Sequence, residues 1–233
     1  MEKKCPLKLP PIEIVESRAD VKPIRLEGDP FFYFAYRIGD EFLWCDYDYP
    51  AKTLSNYSIC KVGGPIVVKG KQTLELHCIE YTQEGNRSGE SFYYAEVSEQ
   101  GERGLLWIRK NKDGTGVVED IDEEIIKREL CVGETFTMQE IYSTGEIQRT
   151  CTSKGKIEGH FILRIGEREY QTVRITKWSS EDLAEVYIDI KSGLTVLFRR
   201  YNAPSHRVYK ELPITREIED TIYRLWYDSL PIR

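Results

Sequence analysis

The stretch Glu185-Val186-Tyr187-Ile188-Asp189-Ile190-Lys191-Ser192-Gly193-Leu194-Thr195-Val196-Leu197-Phe198-Arg199-Arg200-Tyr201 reads as a β-hairpin and decides the fold class. Val186, Ile188 and Ile190 alternate with Glu185, Tyr187 and Asp189, the two-residue period of a half-buried strand. Lys191-Ser192-Gly193 supplies a short turn, with glycine at the position that takes a positive φ. The return strand carries bulky groups on both faces from Leu194 to Phe198, so both faces are expected to be covered.

The same signals recur along the chain. Strand runs bounded by glycine begin near residue 31 and continue to about 118, then resume at 132. Residues 51–58 and Gly63-Gly64-Pro65 read as breaks, and 119–130 as a weak, acidic helix. Prolines at 6, 10, 11, 23 and 30 make residues 1–30 an irregular arm, with an edge strand at 12–15. Ile214, Ile218, Ile222, Leu225, Trp226 and Leu230 recur at helical spacing between Pro213 and Pro231. The fold class expected is therefore mainly β, a β-rich α+β unit with a carboxy-terminal amphipathic helix.

An internal match joins the two β regions. Residues 38–44 match 132–138 at an offset of 94, and 106–110 match 196–200 at an offset of 90. Between these, Cys60 falls opposite Cys151, 68–71 opposite 164–167, and 77–80 opposite 173–176. The reading is two pseudo-repeated antiparallel β-meanders sharing one core. One compact unit follows: the arm over 1–30, a first β half over 31–118, a second over 131–210, and the helix over 213–231.

Of the 233 residues, 33 are basic and 39 acidic, giving a net charge of −6. That balance disfavours a nucleic-acid or anionic-membrane binder. No apolar run approaches the ~18 residues of a membrane span, and the first residues do not resemble a secretory signal. Six cysteines, none in a C-x-x-C pair, read as free thiols of a cytoplasmic protein.

No catalytic motif stands out. His77, His160 and His206 lack the spacing of a zinc site, so no metal is expected, and nothing calls for a cofactor. The glycine clusters at 63–64 and 114–116 continue into neither a P-loop nor a dinucleotide fingerprint. The basic pairs Arg109-Lys110 and Arg199-Arg200 are the most informative polar feature. A guanidinium fork suits carboxylate or phosphate, whereas solvated cations also commonly end a strand. Arg109, Arg199, Arg200 and His206 are the candidate ligand-binding residues; catalytic residues are unknown.

Two readings of function follow. The first is a soluble, non-catalytic binding or scaffold protein with a cleft between the halves for a small molecule or a protein. The alternative is an enzyme whose arginine, histidine and carboxylate groups converge only in the fold.

Overall fold

Alternation along the chain is realised as strand after strand, and each bonds to the next. The computed structural model describes residues 5–18, 23–26, 38–39, 41–48, 52–98, 101–122, 126–127, 129–144, 147–178, 182–191, 195–202 and 221–227. After β1 (Ile12–Arg18) and β2 (Ile24–Arg25) come six long strands. These are β3 (Glu41–Asp48), β4 (Thr53–Val68), β5 (Lys71–Thr82), β6 (Arg87–Ser98), β7 (Gly101–Asn111) and β8 (Gly116–Asp122). The short β9 (Ile126–Lys127) and β10 (Glu129–Leu130) lead to a second six. They are β11 (Thr135–Thr144), β12 (Ile147–Ile165), β13 (Arg168–Trp178), β14 (Asp182–Asp189), β15 (Thr195–Asn202) and β16 (Thr221–Tyr227).

The two sets of six form one closed antiparallel circuit. Each strand bonds its sequence neighbour, β8 bonds β11, and β16 bonds β3. At β12, residues 154–156 pair with both β11 and β13, so these neighbours occupy opposite edges. Beyond Gly159, β1 takes over the β11 edge. The expected hairpin is present as β14–β15, with Val186 opposite Phe198; residues 192–194 of its turn lie outside the described residues.

Three expectations are corrected. The helix over 213–231 is not found where the chain is described: Thr221–Tyr227 is a strand, and the rest of the segment lies outside the described residues. Its Thr-Ile-Tyr-Arg-Leu-Trp-Tyr composition is that of a β-former, and pairing with β15 and β3 outweighs the helical period. The weak helix at 119–130 is replaced by the end of β8, β9 and β10. The breaks at 51–58 and 63–65 are largely absorbed, since β4 runs from Thr53 through the glycines to Val68.

β4 absorbs its glycines as a bulge, and β12 does the same. Val62 lies opposite Leu76 and Ile66 opposite Thr73, so one strand advances an even number of residues and its partner an odd number. Ile157 and Phe161 of β12 lie opposite Ile175 and Thr172, with the same mismatch. The strand thereby exchanges its two faces. Gly64 (φ +113°) and Gly159 (φ +147°) hold backbone that an L-residue rarely adopts.

The face exchange gives the protein separate cores. A circuit of twelve strands encloses more space than side chains from opposite walls can fill as a round cylinder. One cluster gathers Leu43, Cys45, Tyr47 and Leu54 with Phe161, Leu163, Tyr187 and Leu197. A second, on the other face of β13 and β14, gathers Ile157, Val173, Ile175, Val186 and Ile188 beneath Leu130 of the small β2–β10 sheet and Leu26, which follows β2. Leu197 lies in the first cluster and Phe198 packs against the second, so β15 is covered on both faces as expected. A third cluster lies on one face of β4–β6: Cys60, Val62, Leu76, Cys78 and Ala95.

The arm clasps the first cluster. Leu9 N donates to Lys52 O and Gly166 N donates to Pro11 O, each at 2.8 Å. Lys52 follows the end of β3, and Gly166 follows the end of β12. Those strands are antiparallel, five pairings apart through β16, β15, β14 and β13, so the two ends belong to opposite rims. Two residues of chain reach at most ~7 Å. The sheet between must be coiled until its opposite rims meet. Tyr47 Oη donates to Pro6 O at 2.8 Å, and a Cys5–Cys45 disulfide fixes the arm over the cluster.

The free-thiol expectation is thereby overturned. Cys60 and Cys78 also form a disulfide, from directly opposed positions of β4 and β5 with Cα atoms 4.0 Å apart. Cys131 is free and exposed. Thiol titration of the denatured, unreduced chain should therefore find no more than two of the six sulfurs, rising to six after reduction. Replacing Cys60 and Cys78 together by serine should cost about 2–4 kcal/mol of stability, read from urea unfolding.

Candidate functional site

The sequence-predicted residues do not form one site. Arg109 lies on β7 and Arg199 on β15, six strands apart either way round the circuit of twelve. Arg200 lies opposite Ala184. His206 lies outside the described residues. What the fold builds instead is two polar clusters and one broad open face.

Arg199 belongs to the first cluster. Thr176, Glu185 and Arg199 stand in one cross-strand row, with Arg174, Tyr187 and Leu197 in the next row on the same face. Arg174 Nη1 lies 3.7 Å from Glu185 Oε1, and Arg199 Nη1 lies 3.5 Å from Glu185 Oε2. The Tyr187 hydroxyl donates to Glu185 Oε2 at 3.5 Å. The guanidinium of Arg174 sits 4.3 Å from the Phe161 ring centroid, and that of Arg199 sits 5.8 Å from that of Tyr187. Burial, then the Glu185 charge, pushes the Tyr187 phenol up. The Glu185 side chain is only 10% exposed. Held by two cations and a phenol, it is arranged as an anchor and not as a proton acceptor for a substrate.

Arg109 is engaged more simply. Its Nη2 lies 3.2 Å from Glu80 Oε2, across Gly89. A Cβ at Gly89 would meet Lys110 O at 2.8 Å and Glu80 Oε2 at 3.5 Å, so the bare backbone keeps this pair close.

The open face is on the other side of β4–β8 from the third core cluster. Lys61, His77, Phe92, Ile108 and Val118 form one row, and Ile59, Ile79, Glu90 and Lys110 the next. Ile59 is 43% exposed and Val118 45%, where an antiparallel sheet facing water ordinarily carries polar residues. His77 stacks on Phe92 with centroids 4.3 Å apart and planes 7° apart. Tyr57 stacks on Tyr81 at 5.2 Å and 13°. Glu90 receives Arg87 Nη2 at 2.8 Å and lies 3.4 Å from His77 Nε2. Lys110 Nζ sits 5.1 Å from the Phe92 centroid. This face is not singled out by the sequence, which reads β5, β6 and β7 as strands but breaks β4 and stops within β8; the period-2 positions of five consecutive strands must be aligned before the patch emerges.

Among the described residues no group of three or more His, Cys, Asp or Glu side chains could hold a metal ion. Among them also, no helix is long and apolar enough to cross a membrane.

Glu185→Gln should leave two half-buried guanidinium groups facing a neutral amide and cost about 3 kcal/mol. Arg109→Ala, at an exposed pair, should cost less than about 1 kcal/mol; chemical denaturation of both variants checks the contrast. Burial, then a hydrogen bond with Glu75, raises the Tyr94 phenol from its ordinary 10.0 to about 12. Between those values the unfolded chain loses this proton first, so stability should fall as the pH climbs from 10 to 12. Tyr94→Phe should flatten part of that decline in denaturation midpoints measured against pH. No protein-family model, curated protein or solved structure matches this chain.

Proposed function

We propose that the protein is a non-catalytic binding or scaffold protein: a stiff, disulfide-stapled barrel that offers the open face of β4–β8 to a partner. The observation that carries this reading is the half-exposed apolar and aromatic surface around Phe92, flanked by Ile59 and Val118. Contiguous patches of that kind mark interaction sites. The polar clusters speak for the same class, since Arg109 and Arg199 are each engaged with a glutamate. A cleft between the halves has less support. The halves meet edge to edge through the β8–β11 and β16–β3 pairings, which supports the face over the junction as the partner's seat.

The two disulfides favour an oxidising compartment over the cytoplasm. An ancestral duplication is part of the proposal. Gly39 N donates to Val62 O and Gly133 N donates to Ile157 O, each at 2.8 Å and each one turn before the first strand of its set. A face-exchanging bulge follows in β4 and β12, and a second irregularity falls at Tyr94/Ala95 and at Tyr187/Ile188.

Photo-crosslinking tests the binding reading. A benzophenone amino acid at Val118, on the open face, should give a discrete adduct in the native host. The same probe at Lys154, exposed on β12, should not. Equal labelling at both positions, no adduct at either, or a crosslink confined to one chain would sink the assignment of this face.

A further inference from the structure

Resting on that reading of the face, we infer that its occupant is a single free aliphatic chain with an uncharged head, held inside the circuit. The register round the ring decides on which side the face lies. Ile59 is opposite Leu43 and Tyr57 is opposite Cys45, so the open face of β4–β8 shares a side with the first cluster. That cluster joins Leu43 and Cys45 of β3 to Tyr187 of β14 and Phe161 of β12, three and five pairings away. Side chains of one sheet face meet across such an interval only where that face is concave. The open face is therefore the inner wall, along the part of the lumen that the first cluster leaves unfilled. The second cluster, beneath the β2–β10 sheet, is on the outside. Water inside an unfilled lumen accounts for an inner wall on which Ile59 is 43% exposed and Val118 45%.

Shape and charge narrow the occupant. Ile59 lies beside Ile79, and Phe92, Ile108 and Val118 lie side by side, with one diagonal step from Ile79 to Phe92. On five strands ~4.8 Å apart these five residues make a stripe about 19 Å long. It is one side chain wide except at Leu106: Glu90 and Lys110 border one side, Lys61, His77 and Tyr94 the other. One extended chain fits such a stripe, and two side by side do not. The stacked pairs, Tyr57 on Tyr81 and His77 on Phe92, have centroids 5.2 and 4.3 Å apart with nearly parallel planes. These separations are close to the strand spacing, so the rings stand on edge and offer the lumen no flat side for a sugar or a base; upright edges pack against methylenes. The head follows from the charges. The row beyond Phe92 runs Glu75, Tyr94, Leu106, Asp120, with two acids and no cation. On the other side Glu90 already receives Arg87 Nη2 at 2.8 Å and lies 4.0 Å from Lys110 Nζ. A carboxylate or phosphate head would face like charge or break a matched pair, and an uncharged head does neither.

Isothermal titration calorimetry of the purified full chain with n-alkanols from hexanol to dodecanol tests the inference. One alkanol should bind per chain, and each added methylene should tighten binding about fourfold. The fatty acid of equal length should bind about tenfold more weakly at neutral pH. Ile59→Glu and Val118→Lys, at positions already 43% and 45% exposed, should each weaken dodecanol about tenfold or more while the far-ultraviolet spectrum stays that of the wild type. Val67→Lys, 68% exposed on the opposite face of β4, should leave it unchanged. Binding that does not depend on chain length, that both stripe substitutions leave intact, or that favours the fatty acid overturns the inference. So does a chain that takes lipid from phosphatidylcholine vesicles and binds no alkanol, which assigns the face to a membrane lipid. A chain that binds no alkanol but whose Val118 probe captures a protein overturns this occupant and leaves the binding reading standing. No alkanol bound and no adduct formed removes both.

Discussion

Ring closure between β16 and β3 is the constraint on which the rest depends. In a meander every inner strand is bonded on both sides, and only the first and last are exposed to pairing with other chains. Here Tyr223 to Tyr227 lie opposite Tyr47 to Leu43, and both edges vanish together. Closure also fixes the problem that the side chains must solve. Twelve strands enclose too much space for one round core, so the sheet is coiled and folded. Three clusters form on alternating faces, and the amino-terminal arm is drawn across to hold two rims together. What is left open after that folding is the face of β4–β8 that carries Ile59, Phe92 and Val118.

Much of this architecture is legible in the residues, and the losses have identifiable causes. The hairpin at 185–201 and the β-dominated character follow from local alternation, which depends only on neighbouring positions. The helix at the carboxy terminus fails because Thr221, Tyr223, Leu225 and Tyr227 satisfy a period of two while Ile222, Leu225 and Trp226 satisfy a period near four; only the availability of open edges on β15 and β3 decides between them. Cysteine pairing is invisible for the same reason. Cys60 and Cys78 are 18 residues apart in sequence, and only the register of β4 on β5 sets them face to face.

The bulges account for the remaining errors, including those at the candidate site. Under the proposed duplication, the pairing of Leu106 with Tyr94 corresponds to that of Leu197 with Tyr187, which sets Trp107 with Phe198. Matching by residue type had set Trp107 against Leu197 and Arg109 against Arg199. A slip of one residue in a strand is a change of face. Arg109 therefore stays with Glu80 in an exposed pair, whereas Arg199 is drawn into the half-buried group around Glu185 and Tyr187. Identical residue types at nearly matching positions have come to different surroundings.

The clasp has a bearing on the order in which the chain is made. Cys60 and Cys78 belong to one hairpin, so their bond is available as soon as β5 has emerged. The arm precedes that hairpin in the chain, yet Ile12 to Arg18 pair with residues 160–165, and Arg164 reaches Glu13 across 151 positions. The arm therefore waits for a strand synthesised long after it. During that interval Cys5 can already find Cys45, only 40 residues on, and so be anchored to β3. The disulfide acts as a placeholder: it keeps the arm beside its destination until the ribosome delivers the strand it must join.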